Sequence, residues 1–405
     1  MNTSSFLKRN KSILYRIFLW GMVLGIGAVG YLKGTAKLGG KDAQWYSATL
    51  FSDNIDFYNH YLLNFNDWFM RSVPNYYFQL YYLLYPTSYL SWDTFKIVWF
   101  AANFIMIVIL LALIKRDFKL DFKKMAILFL PFFVGFPLLS VYTNGQSTIL
   151  ILLLVYLSWK YREHKILLPV FLSLLMIKYS FGIPIIFGFL LMGYYRSVFL
   201  SVIWTLIFPL VYSIQFNLNF VSTIFLPIKV ATSPTANSLG SGPGDVMSLF
   251  GLFSDQPLLG INMLTIGLGI FVLLYALISI KYKLDQKTIF LSSLLFSLFG
   301  FFHFGQAYLL FLLILPFYFN SKQFYLIYIY LLLFCCTPRL IRLLNFLPIE
   351  PVDVKEFMRN KYFVIFNVLV LLGFFVHVIV ANLGHETKLK LKGVSKRVRI
   401  FYPFS

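Results

Sequence analysis

What most constrains this chain is a series of long apolar runs, among them residues 13–32, 97–114, 149–159 and 264–280, separated by short basic segments such as KRDFKLDFKK and KYREHK. Several of these runs approach the length at which an α-helix crosses about 30 Å of hydrocarbon. One soluble core cannot absorb them. Charged residues make up 12% of the chain and apolar residues 59%, where a globular domain has about a quarter of its residues charged, and the mean hydropathy is +0.77. The expected fold class is therefore an all-α polytopic membrane protein.

The positions of Lys and Arg orient it. Lys8, Arg9, Lys11 and Arg16 flank the first run, which puts the N-terminus on the cytoplasmic side by the positive-inside rule. That run is too long for a signal peptide and lacks a small-residue cleavage site, so it is expected to be a retained span. Residues 33–95 then form the first outer loop. Within it, residues 73–92 (VPNYYFQLYYLLYPTSYLSW) are long enough to span, but they carry Pro74, Pro86 and many tyrosines, which favour the interface. Were this segment to span, Lys115, Arg116, Lys119, Lys123 and Lys124 would fall outside, against the rule. A segment lying along the surface, or re-entering, keeps them inside together with Lys160, Arg162, Lys165, Lys281, Lys283 and Lys287.

The organisation expected on this ground is one integral membrane domain over residues 1–405. It has about twelve spans, juxtamembrane segments in the loop 33–95, a long outer loop at 216–262 and a basic cytoplasmic tail at 382–405. The net charge of +20 then orients the protein in its bilayer and does not mark a nucleic-acid partner, although the tail also suits anionic lipid. The neighbouring Cys335 and Cys336 sit inside an apolar run, where they read as packing residues.

On this map the polar segments of interest gather on the outer side. The stretch FSDNIDFYNHYLLNF, residues 51–65, sets Asp53 and Asp56 among aromatic residues. A carboxylate in an aromatic-lined cavity has its charged form disfavoured and so gains basicity; an interfacial amphipathic helix with its acids in water fits the same pattern. Lys178 interrupts an apolar run just before Gly182 and Pro184; it suits an anion, or it snorkels to the headgroups. His303, near Gln306 in GFFHFGQAY, is either a packing residue or a polar group of the site. Gln146, in the turn TNGQS, can bond a hydroxyl-rich ligand. Asn237 belongs to the outer stretch ATSPTANSLGSGPGD, residues 231–245, whose composition marks a mobile loop suited to a lid. No metal-ligand spacing, Ser-His-Asp arrangement or nucleotide-binding signature occurs in the chain, so no cofactor is expected, a divalent metal being left open.

Several segments together resemble one family. Asp56-Phe57-Tyr58, then VPNYYFQLYYLLYP followed by Trp99 and Asn103, then Gly145-Gln146 opening a leucine-rich run, MIKYSFGIP, and a later Asn-Ser-Leu stand in the order seen in glycosyltransferase family 87. Those are transferases of the GT-C superfamily that use polyprenyl-phosphate-sugar donors, often mannosyltransferases. The resemblance implies a GT-C-type fold, a bacterial inner-membrane location with both termini cytoplasmic, and inverting transfer of mannose or another hexose to an extracytoplasmic glycan or glycolipid. It implies Asp56 as general base with Asp53 shaping its field, Lys178, His303 and Arg71 at the donor phosphate, and Tyr58, Gln146, Asn237 and Gln306 as substrate-binding residues. The alternatives are a lipid-linked glycan flippase and an O-antigen-type polymerase; Arg339 and Arg342 suit the latter.

Overall fold

The computed structural model describes residues 3–37, 39–40, 42–64, 73–231, 259–300, 305–345 and 361–391. All regular elements among them are helical: α1 (Thr3–Gly34), α2 (Trp45–Ser52), α3 (Phe57–Leu63), α4 (Phe78–Leu84), α5 (Trp92–Asp117), α6 (Phe122–Val134), α7 (Pro137–Asn144), α8 (Thr148–Lys160), α9 (Leu167–Leu175), α10 (Tyr179–Leu191), α11 (Tyr195–Gln215), α12 (Phe220–Ile224), α13 (Leu226–Ala231), α14 (Leu259–Lys281), α15 (Gln286–Gly300), α16 (Phe311–Ile314), α17 (Lys322–Leu344) and α18 (Lys361–Leu391), with short 3-10 turns between some of them.

By length and composition, five helical stretches among the described residues suit a membrane: 10–34, 92–117, 167–191, 195–215 and 362–381. A sixth is the pair α6 and α7, bent by 59°. Pro131 inside α6, Gly135 at its end and Pro137 at the start of α7 interrupt the backbone ladder there. Four further apolar helical stretches are shorter, at 10–17 residues. The helices of span length thus number five or six among the described residues, where about twelve were expected.

α5 shows how the sequence makes such a helix. Ser91 caps it by accepting the backbone N–H of Thr94 at 3.3 Å, and Lys115 and Arg116 close its last turn, where cations suit the helix dipole. Phe95, Trp99, Asn103, Ile107, Leu110 and Ile114 recur at helical spacing and are buried, whereas Ile97, Val98, Ile105 and Ile109 on the opposite side are exposed. In a bilayer the second set faces lipid. Small residues let helices approach closely: a Cβ added at Gly188 of α10 would stand 2.2 Å from the Ser293 Oγ of α15.

Residues 73–92 hold no helix of span length. The segment turns at Val73–Asn75 through a hydrogen bond from Asn75 N–H to the Val73 carbonyl, forms the seven-residue α4 and a 3-10 turn over Tyr85–Thr87, and ends at the cap of α5. Phe78, Gln79, Leu80, Tyr81 and Leu84 of α4 are buried, so this part of the loop is packed into the protein. The expected outer loop at 216–262 begins with α12 and α13, and its last residues belong to α14; residues 232–258 lie outside the described set. α17 runs past Pro338 to Leu344 and carries Arg339 and Arg342. Cys335 is buried and Cys336 half-buried, and neither is in a disulfide.

Charge separates the two ends of the bundle. At one end the Asp117 carboxylate accepts from Arg116 Nε and Lys160 Nζ, both at 2.8 Å, and from the Tyr156 hydroxyl. Lys115, Lys119, Lys123, Lys124 and Arg162 stand on the helix ends and turns of the same neighbourhood. The other end holds the connections α1–α2, α7–α8 and α9–α10, and there the candidate residues meet.

Candidate functional site

The site is built on a loop, a turn and a broken helix. α1 ends at Gly34, and the following loop is tied to the α7–α8 turn by two backbone hydrogen bonds, Gly40 N–H to the Thr143 carbonyl at 2.8 Å and Asp42 N–H to the Asn144 carbonyl at 2.7 Å. Gly145 makes that turn with φ of +69°, the left-handed conformation that glycine adopts without a Cβ penalty. A Cβ on it would also lie 2.8 Å from Ala43 Cβ. Gly145→Ala is therefore expected to cost about 1–2 kcal/mol and to loosen the pairing of turn and loop, which a lowered melting temperature in detergent will register.

The next residue, Gln146, is buried and donates its side-chain amide to Asp42 Oδ2 at 2.9 Å. Asp42 itself is half-buried. Its charge reaches two further groups, the ammonium of Lys178 and the phenol of Tyr76. Burial pushes the Tyr76 phenol well above the usual range and Asp42 adds to that shift, while the neighbouring Ser147 hydroxyl works the other way.

Lys178 stands at a break in the stretch 167–191. Residues Met176–Lys178 form a 3-10 turn between α9 and α10, and Lys178 has φ −121° and ψ 87°. Non-helical backbone at such a place is tolerated where it packs in protein or lines a polar cavity. Here Tyr77 N–H bonds the Ile177 carbonyl at 3.0 Å, clamping the first loop to the break. The Lys178 Nζ lies 5.9 Å from the Tyr76 ring centroid and 5.4 Å from that of Phe181. The side chain is half-buried, and among the described residues no carboxylate lies within 4.0 Å of its nitrogen. Partly desolvated cations of this kind are costly without a counter-charge, and an anion supplied by a ligand meets that need.

Asp56 is placed differently. It caps α3, accepting the Asn59 backbone N–H at 3.2 Å and the Asn59 side-chain amide at 2.6 Å. Its other bond is from the Tyr212 hydroxyl of α11, at 2.6 Å. Together with Phe51, Phe57, Phe78 and Phe216 around Tyr212, this pins the first loop to α11. Asp56→Ala is expected to lower stability by about 2 kcal/mol, from the lost cap and the Tyr212 hydroxyl left without its acceptor, measurable as a fall in melting temperature. Asparagine caps as well as aspartate, so Asp56→Asn is the milder change.

The remaining candidates divide. Asp53 is exposed and follows the end of α2. Tyr58 is fully buried and donates its hydroxyl to the Tyr76 carbonyl at 2.6 Å, so it supports the Tyr76 segment from beneath; burial pushes its phenol well above the ordinary value. Gln306 lies on the 3-10 segment Gly305–Leu310. Arg71, Asn237 and His303 lie outside the described residues. Among the described residues no three His, Cys, Asp or Glu side chains stand together.

Asp42 thus accepts from Gln146 and its charge reaches Lys178, so the acid linked to both candidates is Asp42, a residue the motif reading passed over. A usable signal was there: GGKDAQWY follows the first run after the short segment KGTAKL, in a chain with 15 acidic residues. Asp53 and Asp56 are the more conspicuous acids because they lie in the longer aromatic stretch.

In comparison with known proteins, the model of glycosyltransferase family 87 matches residues 79–299, just over half of the chain. That stretch includes Gln146 and Lys178 and starts beyond both Asp42 and Asp56. No curated protein and no solved structure matches the chain.

Proposed function

Because the chain belongs to glycosyltransferase family 87, and is on that ground a membrane glycosyltransferase, we propose that it moves a hexose from a polyprenyl-phosphate-sugar donor to an extracytoplasmic glycan or glycolipid. Asp42 is the general base in this reading and Lys178 the cation at the donor phosphate. One observation carries it: a half-buried carboxylate acts electrostatically on a half-buried lysine that, among the described residues, has no carboxylate within 4.0 Å, at the end of the bundle remote from the basic Asp117 cluster.

The step balances simply. Asp42 takes the proton of an acceptor hydroxyl as its oxygen attacks the anomeric carbon. The bond from that carbon to the phosphate oxygen breaks, and its electron pair leaves on the polyprenyl phosphate. Attack from the face opposite the leaving group inverts the anomeric centre. Charge grows on the phosphate oxygen in the transition state, so a fixed cation there lowers the barrier selectively. Gln146 holds the Asp42 carboxylate in place through its amide. Asp56 and Asp53 fall to loop packing and the rim.

The basic groups gathered at the opposite end support an extracytoplasmic site in a bacterial inner membrane. Family membership also speaks against the flippase reading, since it describes sugar transfer. The test is transfer of label from polyprenyl-phosphate-mannose, with the glucose counterpart beside it, to crude membrane acceptors by the purified chain. Label in a larger product is expected; no transfer from either donor by folded protein sinks the proposal.

A further inference from the structure

Two tryptophans and an acid stand beside the Asp42 loop with no part in the chemistry above. Trp45, three residues after Asp42, and Trp92, at the start of α5, have ring centroids 5.5 Å apart at an interplanar angle of 45°. Both are partly exposed. The Trp92 ring reaches the Asp42 loop directly, since a Cβ built on Gly40 would be 3.4 Å from its Cη2. Tryptophans at helix ends commonly anchor a protein at the membrane interface. That role does not suit Trp92, which lies on the protein-facing stripe of α5: it stacks on Phe95 at 6.1 Å, and Phe95 stacks on Trp99, while the exposed apolar stripe runs through Ile97, Val98 and Ile105.

Asp93 is the acid. Its side chain is 86% exposed, yet it is held at 2.8 Å by the ammonium of Lys96, whose side chain is 2% exposed. Lys96 also donates to the Thr35 and Ala36 carbonyls, at 3.0 and 3.1 Å, so three oxygens surround its nitrogen. A buried, fully engaged lysine therefore fixes the orientation of a solvent-facing carboxylate. Two partly exposed tryptophans beside an oriented carboxylate suit a pyranose ring, whose C–H groups pack on aromatic side chains and whose hydroxyls donate to the acid.

We propose that Trp45, Trp92 and Asp93 form a subsite for a hexopyranose unit of the acceptor glycan, next to the residue to be glycosylated. This rests on the reading of Asp42 as the base, which places the acceptor at that loop.

The test titrates a bacterial membrane lipid extract as acceptor against labelled polyprenyl-phosphate-sugar donor, with the full chain in detergent. Asp93→Asn and Trp92→Leu are each expected to raise the half-saturating acceptor about tenfold and to leave the half-saturating donor within about twofold. Trp92→Tyr, which keeps an aromatic face, should lie near wild type. An unaltered acceptor curve in Asp93→Asn and Trp92→Leu overturns the subsite. So does a parallel loss of donor and acceptor affinity with a lowered melting temperature, which marks a structural role. Absence of transfer by the wild type overturns the underlying reaction instead, and the subsite with it.

Discussion

Asp42→Asn is expected to lower turnover about 10²–10⁴-fold, the usual contribution of a general base, while the protein folds and binds donor as before. The asparagine oxygen can still accept from Gln146, whose amide now meets the carboxylate at 2.9 Å, so the loop keeps its link to the α7–α8 turn. Only the proton acceptor is lost. Asp56→Asn is the matched control, because it leaves the α3 cap in place, and it is expected to retain turnover within about twofold. The two variants are measured by transfer of label at saturating donor and acceptor, with melting temperature beside each. If Asp56→Asn stops turnover and Asp42→Asn does not, the base is Asp56 and the geometry around Gln146 and Lys178 serves binding alone.

Lys178→Met is the second large effect. The methionine keeps much of the length of the lysine, whose nitrogen lies near the Tyr76 and Phe181 rings, and it removes the charge. Loss of one preorganised group that stabilises developing charge costs about 10²–10³-fold in kcat. Because charge grows on the leaving phosphate during the step, kcat is expected to fall more than the half-saturating donor concentration rises. Lys178→Arg should restore part of the rate. An effect on donor saturation alone, with kcat intact, reduces Lys178 to a uniform binding contact.

The all-helical membrane class and the family were legible in the order of residues alone. Their causes are local or one-dimensional: the length of an apolar run, the cost of a charge in hydrocarbon, the asymmetry of Lys and Arg between loops. The number of spans was not. Several apolar runs fold as helices shorter than a span, among them α8 with 13 residues and the α6–α7 pair with its 59° bend. The breaks depend on how prolines and glycines meet their neighbours; a Cβ at Gly135 would stand 2.4 Å from Cys335 Cβ, 200 positions further on.

Lys178 and Gln146 could be picked from sequence because a polar residue inside or beside an apolar run stands out wherever it lies. Which acid they meet is a different kind of fact. Asp42 and Gln146 are separated by 104 positions, and their contact exists because the loop after α1 pairs its backbone with the turn at Asn144. Asp56, more conspicuous in its aromatic setting, is drawn instead to Tyr212, 156 positions away. By itself, then, the sequence determined the solvent this protein folds in and the residue types available for its chemistry, since both follow from composition along the chain. Only the tertiary structure decided which carboxylate stands with the lysine, because that depends on hydrogen bonds closed between segments far apart in sequence.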